Sequence, residues 1–328
     1  TRWSARGRDY IRGDGGCRPA VCLPCGFVLC FRNVSKIDDA YSIGAMKEEV
    51  TLDGTHFIVR DQKNRVISGG EPGTIPWDAY DVDVVIDATG RFLNRDELSA
   101  HLDSGAKRVF ISRNAKDTID RYVIPGINES SIKSSDKIIS TTSSTTQVLA
   151  LMVKMLDESF GLNRAMMTTV HAYTADQPLA DAAGVDLRRS RSAVENIIPN
   201  TTLAPSIVES LMPQFSGKLD GIAFNVPVPN GSCVDLTTEL ENTPSVDEAN
   251  DAIKNFSKGS LEGIVGYTED PIVSSDVIGR EETMVFDQKA TMITNDELLK
   301  TLCWYDNGWG FASRILDVVD AYATLEDK

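Results

Sequence analysis

No apolar run in the 328-residue sequence reaches the roughly 18 residues of a membrane-spanning helix. A helical membrane span is therefore not expected. Positive charge is also short. Lysine and arginine total 33 against 48 aspartates and glutamates, for a net charge of −15. No basic stripe interrupts this acidity, which argues against nucleic acid or an anionic membrane surface as a partner. Internal repeats and low-complexity segments are absent.

Cysteine is sparse outside one stretch, where Cys17, Cys22, Cys25 and Cys30 cluster; Cys233 and Cys303 stand apart. Cys22-x-x-Cys25 has the spacing of half a zinc site. Ordinary thiols are the preferred reading over zinc or a disulfide. Pro24 and Gly26 break the stretch, and Gly26 to Phe31 reads as a buried strand. No metal site is assigned. The first thirty residues carry Arg2, Arg6, Arg8, Arg12 and Arg18, slightly reminiscent of a transit peptide. Cytoplasm is favoured, with an organelle left open.

The length suits two domains. From Val82 the pattern is strand, helix, strand: Val82 to Ile86, a helix opened by an Asn94/Glu97 capping box and stopped at Gly105, then Arg108 to Ser112. Lys137 to Ser140 is expected to add a further strand. This alternation predicts a parallel sheet with covering helices. After Ser144, Val148, Leu149, Met152, Met155 and Leu156 recur at helical spacing, as a core-facing stripe. Strands are then expected over Gly221 to Pro227, Ser232 to Leu240, Ile264 to Tyr267 and Glu282 to Phe286. A Ser245/Glu248 capping box opens a helix toward Phe256, and a last helix spans about Ala312 to Leu325. The fold class is α/β: a Rossmann-like parallel sheet followed by an antiparallel α+β domain.

The run Ile138 to Ala150 ends a strand, makes a polar turn and starts a helix, exposing Ser144 at a helix N-terminus. His171 closes a later segment, Met166 to Thr174. A turn nucleophile and a strand-end histidine form a plausible nucleophile–base pair. These segments resemble the phosphorylating glyceraldehyde-3-phosphate dehydrogenases. That family has Ser-Cys-Thr-Thr-Asn-Cys where this chain has Ser143-Ser144-Thr145-Thr146-Gln147-Val148. The resemblance runs from about residue 35 to the C-terminus. It includes Asp186 to Pro199, Gly217-Lys218-Leu219 and Trp304-Tyr305-Asp306-Asn307.

The resemblance implies a cysteine thiolate that attacks the aldehyde, a histidine that takes the hydroxyl proton as hydride leaves to NAD, and a phosphate that cleaves the thioester. Ser144 takes the thiol's place, and His171 matches the base. A serine hydroxyl is far less acidic than a thiol, and its ester is less reactive toward phosphate. Ser144 is therefore read first as a cap of the following helix. No aspartate is identifiable as an orienter of His171. Ser143, Thr174 and Thr202 match residues that bind the phosphate groups. Arg188, or Arg191, is the candidate guanidinium of the loop, with a subunit interface as its equal alternative. Asn225 replaces the family's central phosphate-binding arginine, and Leu203 replaces the glycine after Thr202.

For the cofactor the resemblance implies NAD. Gly7 and Arg8 resemble the last glycine of a G-x-G-x-x-G loop and the start of its helix. The two earlier glycine positions hold Arg2 and Ser4, the strand before them is missing, and Val34 occupies the place of the ribose-binding aspartate. Thr89 and Gly90 match the segment beside adenine and ribose. Asn307 matches the anchor of the nicotinamide carboxamide, although Asp306-Asn307-Gly308 is by itself a turn signal.

Residues 1–143, with a C-terminal helix at 312–328, are thus expected to form an NAD-binding-like domain whose N-terminal half is remodelled. Residues 144–311 are expected to form the catalytic-type domain. The expected function is that of an impaired dehydrogenase homologue with a structural, assembly or regulatory role. The alternative is an NAD-dependent oxidoreductase that acts on glyceraldehyde 3-phosphate or a related aldehyde with His171 as base. The loop Asp186 to Pro199 implies a homo-oligomer, a tetramer by resemblance, or a subunit of a larger assembly.

Overall fold

The computed structural model describes residues 19–22, 27–30, 49–59, 62–68, 71–295 and 297–326. It divides into two units, one spanning Ser144–Ser313, the other formed by the described residues up to Ser143 together with those from Arg314 onward. Each is described by itself.

In the unit that starts the chain, strands β1 (Pro19–Cys22), β2 (Phe27–Cys30), β3 (Val50–Asp53), β4 (His56–Val59), β5 (Gln62–Ser68), β6 (Val84–Asp87), β7 (Arg108–Ile111), β8 (Arg121–Tyr122) and β9 (Ile138–Ser140) form one sheet. Its order is β3-β4-β5-β2-β1-β6-β7-β9-β8. From β1 through β6, β7, β9 and β8 every neighbour is parallel. Every residue of β6 and β7 is buried, as expected of strands covered on both faces. Helix α1 (Arg95–Asp103) follows β6, and its capping box is present: Glu97 accepts from the Asn94 backbone. Gly105 ends it at φ +109, where a Cβ would meet the Asp78 nitrogen at 2.7 Å.

The remaining strands depart from expectation. The strand expected over Gly26 to Phe31 is β2, and it lies antiparallel to both β1 and β5. Only positions 23–26 separate β1 from β2. A parallel crossover takes a dozen or more residues, so this link can close only a hairpin. Gly54-Thr55 turns a further hairpin, β3 to β4, with Gly54 at φ +60 in the first turn position.

The second unit holds helices α2 (Ser144–Phe160), α3 (Ala204–Leu211) and α4 (Val246–Lys258), and the start of α5 (Trp309–Glu326). Its strands are β10 (Leu162–Ala172), β11 (Ile198–Asn200), β12 (Leu219–Val226), β13 (Ser232–Leu240), β14 (Val265–Thr268), β15 (Met284–Asp287), β16 (Met292–Thr294) and β17 (Leu298–Tyr305). They run β11-β12-β10-β13-β17-β15-β14, with β16 on β17. The sheet is mixed rather than antiparallel throughout. β10 pairs parallel with β12, and β14 with β15. The chain returns from β10 to β12 through α3, long enough for a crossover.

Along β13, Val234, Leu236, Thr238 and Leu240 are buried and alternate with half-buried Asp235, Thr237 and Glu239, which is the period of a sheet with one covered face. α2 covers that face. Its burial is wider than a stripe, because every residue from Thr145 to Val153 is buried, as in a helix packed on all sides. In the other unit, the later turns of α5 rest on the parallel sheet. Tyr322 donates to Asp136 at 2.7 Å, and its ring meets Phe110 edge-on at 5.8 Å. Among the described residues no helix is long and apolar enough to cross a membrane.

Candidate active site

His171 is the penultimate residue of β10, and the parallel register sets it opposite Asn225 of β12. Its Nδ1 lies 2.7 Å from the carbonyl of Ala172. A carbonyl only accepts, so Nδ1 carries the proton, and Nε2 of the neutral ring holds the free lone pair. A backbone carbonyl thus orients His171, and no aspartate is needed for the purpose. The backbone of Ala172 is a hub. Its carbonyl also accepts from Asn225 Nδ2 at 3.3 Å, and its N–H donates to Ser232 Oγ at 3.0 Å. Ser232 in turn donates to Asn307 Oδ1 at 3.1 Å. Asn307 lies in a turn, and this contact orients its amide with the N–H groups directed away from Ser232.

Tyr305 is fully buried and packs edge-on to His171, with ring centroids 5.9 Å apart. Its hydroxyl lies 2.8 Å from Thr145 Oγ1 and 3.0 Å from Thr169 Oγ1. The proton of Thr169 goes to the Cys233 carbonyl. Tyr305 must then donate to Thr169, and Thr145 to Tyr305. Burial pushes the Tyr305 phenol up to about 12, against its hydrogen bonds to Thr145 and Thr169. This chain ties the head of α2, one residue past Ser144, to the ring beneath His171.

Ser144 is half-buried and is the first residue of α2. Its reading as the helix cap is corrected: Ser144 is the first helical residue and lies within the first turn. The turn before it is strained. Buried Thr142 has φ +68, a left-handed conformation that a β-branched residue seldom adopts. Its N–H donates to Ser140 Oγ. Strain of this kind costs about 1–3 kcal/mol and clusters at functional sites. Thr142 carried no signal in the sequence, because its identity gives no hint of a positive φ.

Thr174 donates its hydroxyl to the Asp176 carboxylate, and Arg189 meets the other oxygen of that carboxylate at 2.5 Å. Arg189 was not among the candidate arginines. Arg188 is exposed, and Arg191 pairs with Asp181 at 3.0 Å. Thr202 Oγ1 accepts from Ala204 N–H at 3.2 Å, just before α3. Leu203 has φ −91 and an exposed side chain, so the backbone there is comfortable without glycine. Asn225, 7% exposed, has its Oδ1 3.4 Å from Asn200 Nδ2.

Thr89 and Gly90 lie in the other unit. Asp87 Oδ1 accepts from the Thr89 N–H at 2.8 Å and from its hydroxyl at 2.6 Å. Gly90 follows at φ +67, where a Cβ would lie 3.1 Å from the Arg113 guanidinium. Gly7, Arg8, Arg2, Ser4 and Val34 fall outside the described residues, as do the side chains of Cys17, Cys22, Cys25 and Cys30. The Asn307 amide suits a nicotinamide carboxamide. The four positions between β1 and β2 leave no room for a glycine turn and helix at a pyrophosphate. The described free thiols, Cys233 and Cys303, are buried. Burial pushes Cys233 up to about 11 and Cys303 well above its usual value. Among the described residues no cluster of histidine, cysteine or carboxylate is arranged for a metal.

Burial holds the His171 imidazole below its ordinary pKa of 6.5, against the Ala172 carbonyl and the charge of Asp176. This contribution to stability is fully present above the unfolded value. It is lost as pH falls below 6.5, because the unfolded chain then binds a proton that the folded chain refuses. Urea unfolding at about pH 7.5 and about pH 5.5 should show a smaller loss on acidification in His171→Asn than in the parent.

Residues 143–307 match the family described as "Glyceraldehyde 3-phosphate dehydrogenase, C-terminal domain". Residues 32–95 match "Glyceraldehyde 3-phosphate dehydrogenase, NAD binding domain". The chain is 43% identical over 277 residues to glyceraldehyde-3-phosphate dehydrogenase 2 of Streptomyces avermitilis, covering 84% of this chain and 82% of that protein. It is 44% identical over 278 residues to the enzyme of Streptomyces coelicolor, with the same coverage. Against that of Priestia megaterium it is 39% identical over 281 residues, 85% of this chain and 84% of that protein. With both domains matched and relatives aligned along most of its length, the chain belongs to the glyceraldehyde-3-phosphate dehydrogenase family.

Proposed function

We propose that this chain is a dehydrogenase homologue in which phosphorylating catalysis is impaired, and that it serves a structural, assembly or regulatory role. The observation that carries this reading is that, among the described residues, no thiolate is available. Ser144 heads α2, and the described thiols are buried with raised pKa values. A serine hydroxyl needs strong general-base help and leaves an oxygen ester that phosphate cleaves poorly. Asn225 adds to the loss by placing a neutral amide where the family has its phosphate-binding arginine. Losing a charged hydrogen-bond partner costs about 1.5–3 kcal/mol. A homo-oligomer is supported by apolar side chains left exposed along one segment: Leu179, Val185, Leu187, Val194, Ile197 and Leu203. The test is NAD reduction with glyceraldehyde 3-phosphate and inorganic phosphate. The parent should be silent. Turnover that His171→Asn abolishes would refute the proposal.

One observation favours the second reading, an oxidoreductase without covalent catalysis. His171 keeps Nδ1–H fixed on Ala172 and Nε2 as the proton acceptor. When bound, NAD supplies the hydride acceptor, and its binding here is supported by the match to the family's NAD binding domain. His171 would take the hydroxyl proton of a hydrated aldehyde, and Asn307 would orient the carboxamide.

A further inference from the structure

In the unit that starts the chain, β1 and β6 are parallel neighbours from which the chain leaves in opposite directions, β1 toward β2 and β6 toward β7. Open α/β sheets bind their ligands outside the carboxyl ends of the strands at such a place. Asp87 ends β6, and the register sets it beside Cys22 at the end of β1. The half-buried turn Thr89-Gly90 follows directly. Asp87 is 3% exposed, and its Oδ1 takes both the N–H and the hydroxyl of Thr89. Thr89 Oγ1 accepts in turn from the Arg91 N–H at 3.1 Å. The other carboxylate oxygen, Oδ2, faces His101 Nε2 at 3.6 Å. Among the described residues neither of these two atoms has a hydrogen-bond partner. His101 is buried in the last turn of α1, and its Nδ1 lies 3.2 Å from the indole nitrogen of fully buried Trp77. An indole N–H only donates, so Nδ1 accepts and Nε2 carries the proton that faces Asp87. This tautomer is the opposite of the one at His171. The contact is longer than a hydrogen bond, and its attraction is that of an N–H dipole for a buried anion. A buried carboxylate oxygen is costly to leave without such compensation. Turning the carboxylate to find another partner would take Oδ1 away from Thr89.

We propose that His101 is a positioning residue: it holds the Asp87 carboxylate and through it presents the Thr89-Gly90 turn to the cofactor. Trp77 fixes the ring of His101, His101 faces the second oxygen of Asp87, and Asp87 fixes Thr89. The proposal rests on the reading that this chain binds NAD.

The experiment needs no turnover. The full chain, labelled with 15N in histidine and tryptophan, carries three imidazoles and four indoles. His101→Gln and Trp77→Phe assign the two of interest by loss of signal. The His101 ring should carry its proton on Nε2, and the His171 ring on Nδ1. Asp87→Asn keeps an acceptor for Thr89 but sets an amide N–H against the Nε2 proton. The imidazole should then change tautomer, and the Trp77 indole signal should move with it. A histidine that only fills the core keeps its tautomer in this variant. Calorimetry with NAD is the second readout. His101→Leu should bind about tenfold more weakly than the parent, the worth of one hydrogen bond. His101→Gln restores an N–H toward Asp87 and should recover most of that loss. A proton on Nδ1 of His101 in the parent would overturn the proposal, as would an unchanged tautomer in Asp87→Asn. Equal NAD affinity in the parent and His101→Leu would overturn it too, and would leave the NAD reading intact. Should His101→Leu not fold, Asp87→Asn takes its place in the calorimetry and has to bind more weakly than the parent. No NAD binding by the parent would sink the second reading of function, and the cofactor role of the turn with it.

Discussion

Ser144→Cys should yield a thiol that is alkylated at neutral pH more than about 100-fold faster than Cys233. Three features of the position converge on this result. It lies in the first turn of a 17-residue helix, where unpaired N–H groups and the helix dipole favour an anion. The side chain is half-buried rather than enclosed, and Thr145–Tyr305 holds that turn against the ring beneath His171. Cys233, by contrast, is buried and pushed up to about 11. The thiolate fraction differs by several powers of ten, and the lower nucleophilicity of a more acidic thiol returns only part of that. Iodoacetamide labelling followed by peptide mapping reads each thiol separately. Labelling at position 144 no faster than an unperturbed thiol would show that the helix terminus has lost its activating environment along with the cysteine.

Tyr305→Ala should destabilise the fold by about 3–5 kcal/mol, in line with other large aromatic truncations in cores. Tyr305→Phe should cost about 1–3 kcal/mol by leaving buried hydroxyls underbonded. Tyr305 is 1% exposed and ends β17, yet its hydroxyl joins Thr145 of α2 to Thr169 of β10. The phenylalanine variant keeps the packing and removes the link, so urea midpoints of the two variants separate volume from hydrogen bonding. A loss below about 1 kcal/mol for the alanine variant would mean that the site's floor is not part of the core.

Local signals made much of the fold legible. The capping boxes Asn94/Glu97 and Ser245/Glu248 open α1 and α4 as the sequence indicates, since each reports on four adjacent residues. The alternation along Ser232 to Leu240 predicts β13 residue for residue. Topology was less legible. The apolar run at Phe27 reads as a strand but carries no direction, and only the shortness of the link from Cys22 marks a hairpin. Between β3 and β4, Gly54-Thr55 carries the hairpin signal, a glycine at the first turn position.

The candidate site divides along the same line. His171 and Ser144 announce themselves by position at a strand end and a helix start. The Ala172 hub does not, because it needs β10, β12 and β13 set side by side in register before Asn225 and Ser232 can meet the backbone of Ala172, and Asn307 can meet Ser232. Arg189 was hidden for a related reason. Three arginines in four residues are equivalent in sequence, and only the fold of the loop chooses which one reaches Asp176.

The most direct test of the central claim, that covalent aldehyde oxidation is closed to this chain, is the intact mass of the protein after incubation with NAD and glyceraldehyde 3-phosphate. Phosphate is omitted. An oxygen ester at Ser144 would resist cleavage and accumulate, so even slow acylation would be visible. The account predicts an unchanged mass. An acyl adduct that maps to Ser144 and disappears in His171→Asn would contradict it.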